Sequence, residues 1–232
     1  LDAGDRFLIA LFLGPEAVGV YAAGYGIADK SVGLLCAWAA AAGAPMMMAA
    51  WEREGPEAVR EVSRHLARTL LLIAAPAAAG LALVAQPLSE VMIGEDMRAQ
   101  AASIMPWIAL SGLINGFVLH YVSEAYQLSH RTDLRAWLML IPALANLALN
   151  AILLPWIGLM GAVYSTVACY ALALLLLAGV ARKLAPLSWP WRDFLKVAGA
   201  CSAMAIAVRM APSTGGMTEL LMKASVGATI YV

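Results

Sequence analysis

"DRFLIALFLGPEAVGVYAAGYGIADK", residues 5–30, is the stretch that decides the fold. Its body is aliphatic and aromatic enough to lie in lipid, yet an Asp–Arg pair opens it and an Asp–Lys pair closes it. Between them stands a short "GPEA" break, the signature of a tight reversal between two helices. Two apolar runs on either side of such a break predict an antiparallel pair of membrane helices. The ion pairs at its ends are the feature that needs a reason.

The rest of the chain is of the same kind. It is 62% hydrophobic and only 13% charged, against about 45–50% and about 25% for soluble domains. A spanning helix needs about 20 mainly apolar residues at about 1.5 Å each, because the hydrocarbon core is about 30 Å thick. After a first partial helix ending near Leu13, the runs at 18–48, 69–85, 101–127, 136–154, 159–180 and 194–210 approach that length, with a last one opening at Met217. The runs are continuous, without an alternation of period two, so helices are expected and barrel strands are not. The fold class is therefore all-α: a polytopic membrane helical bundle. Residues 1–185 are expected to form one transmembrane bundle of about six helices, the first cut short, and 186–232 additional helices, the last cut short. The chain opens at Leu1 and closes inside an apolar run, which suggests an internal piece of a longer polypeptide.

Lys and Arg set the orientation. Placing the 52–68 connection inside puts Arg53, Arg60, Arg64, Arg68, Arg131, Arg135, Arg182, Lys183, Arg192 and Lys196 in the cytoplasm. Only Arg98 and Arg209 then face outward. "PEAVREVSRHLAR", residues 56–68, reads as a short interfacial helix with a solvated charged face, His65 included. Net charge is zero, so nothing points to nucleic acid. Cys36, Cys169 and Cys201 lie singly in apolar runs, as small buried hydrophobes do.

Arg6, Lys30 and Lys223 remain inside helices. With exit at Gly14 and re-entry near Gly19, Arg6 falls about 12 Å and Lys30 about 17 Å below the surface. Both depths are near the midplane, where a charge costs at least about 2.5–3.5 kcal/mol and survives only by pairing or by facing water. Two readings follow. Asp5–Arg6 and Asp29–Lys30 pair across helices and lock the bundle, or Arg6, Lys30, Asp5, Asp29 and Tyr25 line a polar cavity that handles an ionic headgroup or a coupling ion. Glu124 and His120, four residues apart, form a second polar cluster near the cytoplasmic interface and a candidate relay or gate, with Asp29 as a further candidate for ion coupling. Asn146 and Asn150, one turn apart, suit interhelical hydrogen bonds, and Gly14, Gly19, Pro155, Gly158 and Gly161 suit turns and close packing. No GxSxG, HExxH or Walker-type loop occurs. Neither an enzyme activity nor a metal or cofactor is expected.

The opening stretch resembles the seventh-to-eighth helix junction of bacterial polysaccharide flippases at Asp5, Arg6, Gly14, Val18, Gly19 and Tyr21. "NLALNAILLPWIGLMGAVYSTVACY" is similar to the family's eleventh-to-twelfth helix turn, with Asn146, Asn150, Pro155, Gly158, Gly161, Ala162, Thr166 and Tyr170 in its polar, turn and small positions. The resemblance spans residues 5–183 and more loosely the remainder. It implies the superfamily that joins multidrug/toxin extruders, oligosaccharide-lipid flippases and the peptidoglycan lipid flippase. In that fold two six-helix bundles, often with extra C-terminal helices, enclose a central cavity, and this chain would supply the second bundle. The implied function is alternating-access transfer of an isoprenoid-pyrophosphate-linked oligosaccharide to the outer leaflet of the bacterial inner membrane, for surface polysaccharides such as lipopolysaccharide O-antigen. Implied partners are the lipid-linked oligosaccharide, membrane lipids, an N-terminal bundle of the same polypeptide, and a polysaccharide polymerase or glycosyltransferases. The rivals are a multidrug/toxin-type cation antiporter and a non-transporting membrane scaffold for polysaccharide synthesis enzymes.

Overall fold

A computed structural model describes residues 2–231 and shows an all-α bundle. Helix α1 (Asp2–Leu13) turns through Gly14 into α2 (Pro15–Ala40). Gly14 stands at φ +88°, where a side chain is disfavoured, and Pro15 occupies the first helical position, where its missing N–H costs nothing. The reversal is tighter than the expected re-entry near Gly19. Helix α2 stops at Ala40 and α3 (Gly43–Arg53) follows almost at once, so the single run expected at 18–48 is two helices. Pro45, in the first turn of α3, cannot donate back to Ala41, which breaks the ladder there.

Helix α4 (Pro56–Leu83) begins after Gly55, at φ +87°, and fuses the expected interfacial helix with the following span. Its polar first half bears Arg60, Arg64 and Arg68, and its second half is apolar around the embedded Pro76. Short α5 (Ala85–Met92) lies where an outward loop is expected. Helix α6 (Glu95–Phe117) runs through a π-helical turn (Val118–Val122) into α7 (Ser123–Leu128). Ser123 donates to the Val118 carbonyl at 2.6 Å, satisfying an acceptor at the widened turn. Helices α8 (Thr132–Ile157) and α9 (Leu159–Leu184) form a second tight hairpin about Gly158, at φ +61°. Two further helices, α10 (Trp191–Met210) and α11 (Gly216–Tyr231), complete the described chain.

By length and composition, five helical stretches among the described residues can cross a membrane: Pro15–Arg53, Pro56–Leu83, Glu95–Leu128, Thr132–Ile157 and Leu159–Leu184. The chain is a multi-pass membrane protein. Helix α6 is the centre, packed against α2, α4 and α9, while α8 closes over α9 and α1. Helices α10 and α11 pair with each other and lie against α4 and α5 respectively. Large apolar side chains such as Trp38, Trp137 and Leu175 point away from the bundle, as a lipid-facing surface requires.

The α5–α11 junction is held electrostatically. Gly216 N–H donates to Glu90 Oε2 at 2.7 Å, and Gln86 Nε2 donates to Glu90 Oε1 at 3.1 Å. These donors, the Gly216 amide first, hold the Glu90 carboxyl below its ordinary range. A depressed pKa stabilises above the unfolded value and is lost as pH falls through the folded one. Hydrogen exchange at the Gly216 amide, corrected for intrinsic rate, should therefore lose protection as pH falls through and below the ordinary glutamate range. Glu90→Ala should show the unprotected rate at neutral pH; equal protection in that variant would refute the clasp.

Candidate functional site

Four helices converge on one carboxylate. Asp5, on α1, is fully buried and accepts from Tyr21 Oη of α2 at 3.0 Å, Asn150 Nδ2 of α8 at 2.6 Å and Thr166 Oγ1 of α9 at 3.0 Å. The same Thr166 hydroxyl lies 2.9 Å from the Ala162 carbonyl, so its single hydrogen is shared between two acceptors. Asn150 Oδ1 is buried in this region without a protein partner among the described residues, and Asn146 interacts with Asp5 beside it. Polar atoms sealed in an apolar bundle are normally all paired, so unmatched ones mark a place where an ion or water belongs. The pocket's oxygens come from carboxylate, amide, hydroxyl and backbone carbonyl groups. That set suits a hard cation, and one carboxylate matches a single positive charge.

The helix charges admit two readings, cross-helix pairing or a polar cavity; the contacts of Asp5 are with neutral donors from three other helices. Sequence reasoning missed Tyr21 and Thr166 as partners of Asp5. The signal was present, since Asn146, Asn150 and Thr166 are among the few polar residues on the inward faces of the α8–α9 hairpin, with Ser165 and Tyr170.

A polar stripe continues down α2. Tyr21 and Tyr25 are both buried, with ring centroids 5.3 Å apart. Tyr170 of α9 and Asp29, one turn on, both lie close to Tyr25. Asp29 Oδ1 faces α6 at Gly112, where it would stand 3.4 Å from a Cβ. Lys30, by contrast, is exposed and forms no salt bridge among the described residues. Arg6 is half-buried on α1. The expectation that Arg6 and Lys30 share one depth fails. Arg6 adjoins Asp5 and so lies level with Tyr21, whereas Lys30 is about 13 Å further along α2 at about 1.5 Å per residue. Starting α2 at Pro15 rather than near Gly19 shifts the register.

The remaining candidates separate. Glu124 is buried on α7, where Gln127 Nε2 donates to it at 3.3 Å. His120 lies half-buried within the π turn. The extra residue of that turn spoils the α-helical stacking expected of His120 and Glu124. Gly158 serves the α8–α9 reversal, and Gly161 admits the Leu153 carbonyl of α8. Pro155 stands in the last turn of α8. Gly19 meets only Met97 at an ordinary 3.7 Å, so it is not a close-packing position. Beyond the polar stripe, an apolar groove of about 490 Å³ opens between α4, α6 and α10, lined by residues such as Leu71, Ala75, Pro106, Phe117, Phe194 and Val197.

Residues 1–102 match the family model described as "Polysaccharide biosynthesis protein". Nearly the whole chain, 98%, superposes on the solved structure of "Lipid II flippase MurJ, inward closed conformation", with a TM-score of 0.73 at 15% identity. The family match covers the first part of the chain, and nearly the whole chain shares its fold with that flippase structure. It covers 48% of that MurJ chain, about half its length. No curated protein matches it. Within the flippase fold the Asp5 pocket is built by α1, α2, α8 and α9, and the family match covers the first two of these.

Proposed function

We propose that the chain is one half of a flippase that moves an anionic lipid-linked oligosaccharide, its headgroup carried on isoprenoid pyrophosphate, from the cytoplasmic to the outer leaflet of a bacterial inner membrane for surface polysaccharide assembly. The observation that carries this reading is Lys30. It stands mid-way along a membrane-crossing helix, exposed on the bundle's surface and without an acidic partner among the described residues. Acyl chains would not tolerate it there, so its face belongs to a water-filled cavity closed by further protein. A cation lining such a cavity lowers the desolvation cost of a pyrophosphate in transit. The apolar groove offers a path for the isoprenoid chain, because hydrocarbon gains nothing from a polar route. Glycosyltransferases or a polymerase that load and consume this lipid would be its functional neighbours. The process is transport, with no bond made or broken.

Ion coupling belongs at Asp5. A sodium ion accepted by the Asp5 carboxylate, with Asn150 Oδ1, Thr166 Oγ1 and the Ala162 carbonyl as the nearby oxygens, would supply the charge balance that the neutral donors leave unfilled. Alternating access then follows if the occupied and empty pockets favour different packings of α1 against α8 and α9.

A multidrug extruder carrying organic cations would want an acid where Lys30 stands. Charge reversal therefore discriminates. Lys30→Glu is expected to weaken binding of a short-chain isoprenyl-pyrophosphate disaccharide by about tenfold or more in nanodiscs, while Tm moves by less than about 2 °C because the side chain is exposed. Unchanged binding of that lipid by Lys30→Glu, or a gain of organic-cation efflux in the parent, would refute the anionic-substrate reading.

A further inference from the structure

Asp5 and Lys30 lie on different helices, at different depths, and no direct contact joins them. The α2 stripe between them is polar where a helix interior needs no polarity. Tyr21, Tyr25 and Asp29 recur every four residues on the inward face, whose other members are Ala28, Val32, Cys36 and small residues. Tyr21 donates to Asp5 at one end. Its ring lies against Tyr25, Tyr170 flanks Tyr25, and Asp29 closes the row beside Gly112, next in sequence to Lys30. Two phenols and a carboxylate in sequence, in a bundle whose neighbouring layers are filled with alanine and isoleucine, need an explanation beyond packing.

We propose that the Tyr21–Tyr25–Asp29 stripe, with Tyr170 beside it, is the positioning element that transmits ion occupancy at Asp5 to Lys30. This rests on the sodium reading given above. A cation seated on Asp5 competes with Tyr21 for the carboxylate Oδ2, which Thr166 also uses, so the Tyr21 hydrogen bond weakens and shifts. Because the two rings are in contact, Tyr21 cannot reorient without displacing Tyr25, and Tyr25 bears on both Tyr170 and Asp29. Gly112 leaves space for the Asp29 carboxylate on α6, and Gly116, one turn on, likewise admits Cys36. The tight seam between α2 and α6 thus holds the backbone while the polar row changes its hydrogen bonds. With the backbone held, a displaced Asp29 carboxylate alters the electrostatic field at Lys30, one residue on, and so the side-chain position that Lys30 prefers; the ion pocket sets the substrate face in this way.

The test uses two readouts on the full-length protein in liposomes. Sodium-dependent thermal stabilisation reports the Asp5 pocket. The maleimide labelling rate of Ser31→Cys, exposed next to Lys30, reports the substrate face, in a Cys201→Ser background because Cys36 and Cys169 are buried. With sodium in place of choline, the parent is expected to show both a raised Tm and a labelling rate changed by about fivefold. Tyr25→Phe and Tyr170→Phe each remove only a hydroxyl. They are expected to keep the sodium-induced Tm rise and to lose most of the labelling response. Retention of the full labelling response in both variants would overturn the relay while leaving the ion pocket standing. A parent stabilised by sodium with no change in labelling would overturn it likewise. A parent that sodium does not stabilise at all removes the pocket reading, and the relay with it.

Discussion

Asp5→Ala is expected to destabilise the bundle by about 3–5 kcal/mol, the largest effect of any single polar replacement in the chain. The reason is the number of partners stranded. Tyr21 and Asn150 both lose this one fully buried carboxylate as acceptor, Thr166 keeping the Ala162 carbonyl, and a buried donor left without an acceptor costs about 1–3 kcal/mol. Interhelical hydrogen bonds in membranes are worth somewhat less, about 0.6 kcal/mol on average with values to about 1.7, which keeps the total below the top of the summed cost. At about 2–4 °C per kcal/mol for a chain of this size, the melting temperature should fall by about 10 °C. Asp5→Asn keeps shape and one acceptor oxygen, so it should lose under half as much. It should nonetheless abolish any sodium-induced stabilisation, because the charge that would hold the ion is gone. Detergent-solubilised Tm with and without sodium separates the two effects. Equal stability of Asp5→Ala and the parent would show that the donors find other acceptors.

Gly161→Ala is expected to cost about 3 kcal/mol for a different reason. A Cβ there would stand 2.6 Å from the Leu153 carbonyl oxygen and 2.7 Å from its carbon, both backbone atoms of α8. Backbone cannot swing aside as a side-chain tip can, so α9 must move away from α8, and overpacking of this kind costs about 1–3 kcal/mol or more. The same hairpin carries Asn150 and Thr166, so the displacement also opens the Asp5 pocket, and sodium stabilisation should weaken together with Tm. Gly179→Ala, in the same helix but with open space around it, is the control. It should be neutral or slightly stabilising, since alanine is a better helix former by up to about 1 kcal/mol. Similar melting temperatures for Gly161→Ala and Gly179→Ala would refute the close approach.

Much of this was legible in the sequence. Helices were dictated by composition and run length, because unpaired backbone is intolerable in lipid and only continuous apolar runs satisfy it. The reversals at Gly14 and Gly158 were marked by Gly-Pro and Pro-Trp-Ile-Gly chemistry. Register was not legible. Whether α2 starts at Pro15 or near Gly19 changes the level of Lys30 by about 6 Å at about 1.5 Å per residue, and hydropathy is flat across those positions. The break near Ala41 and the π turn at Val118–Val122 were equally silent, since alanine-rich and aliphatic stretches read alike whether or not the ladder slips. Asp5 drew notice as a charge, but its partners arrive from 16, 145 and 161 residues away. Only the fold assembles them, and Thr166 and Tyr21 taken singly look like ordinary helix residues.

The most direct measurement is transfer of a fluorescent isoprenyl-pyrophosphate oligosaccharide between leaflets of proteoliposomes holding the full-length protein, read by quenching from outside. Under an inward sodium gradient the parent should move the lipid. Lys30→Glu should lose most of that rate at unchanged Tm, and Asp5→Asn should transfer at the same slow rate with or without the gradient. Transfer by both variants at the parent rate and with the parent's sodium dependence would contradict the account.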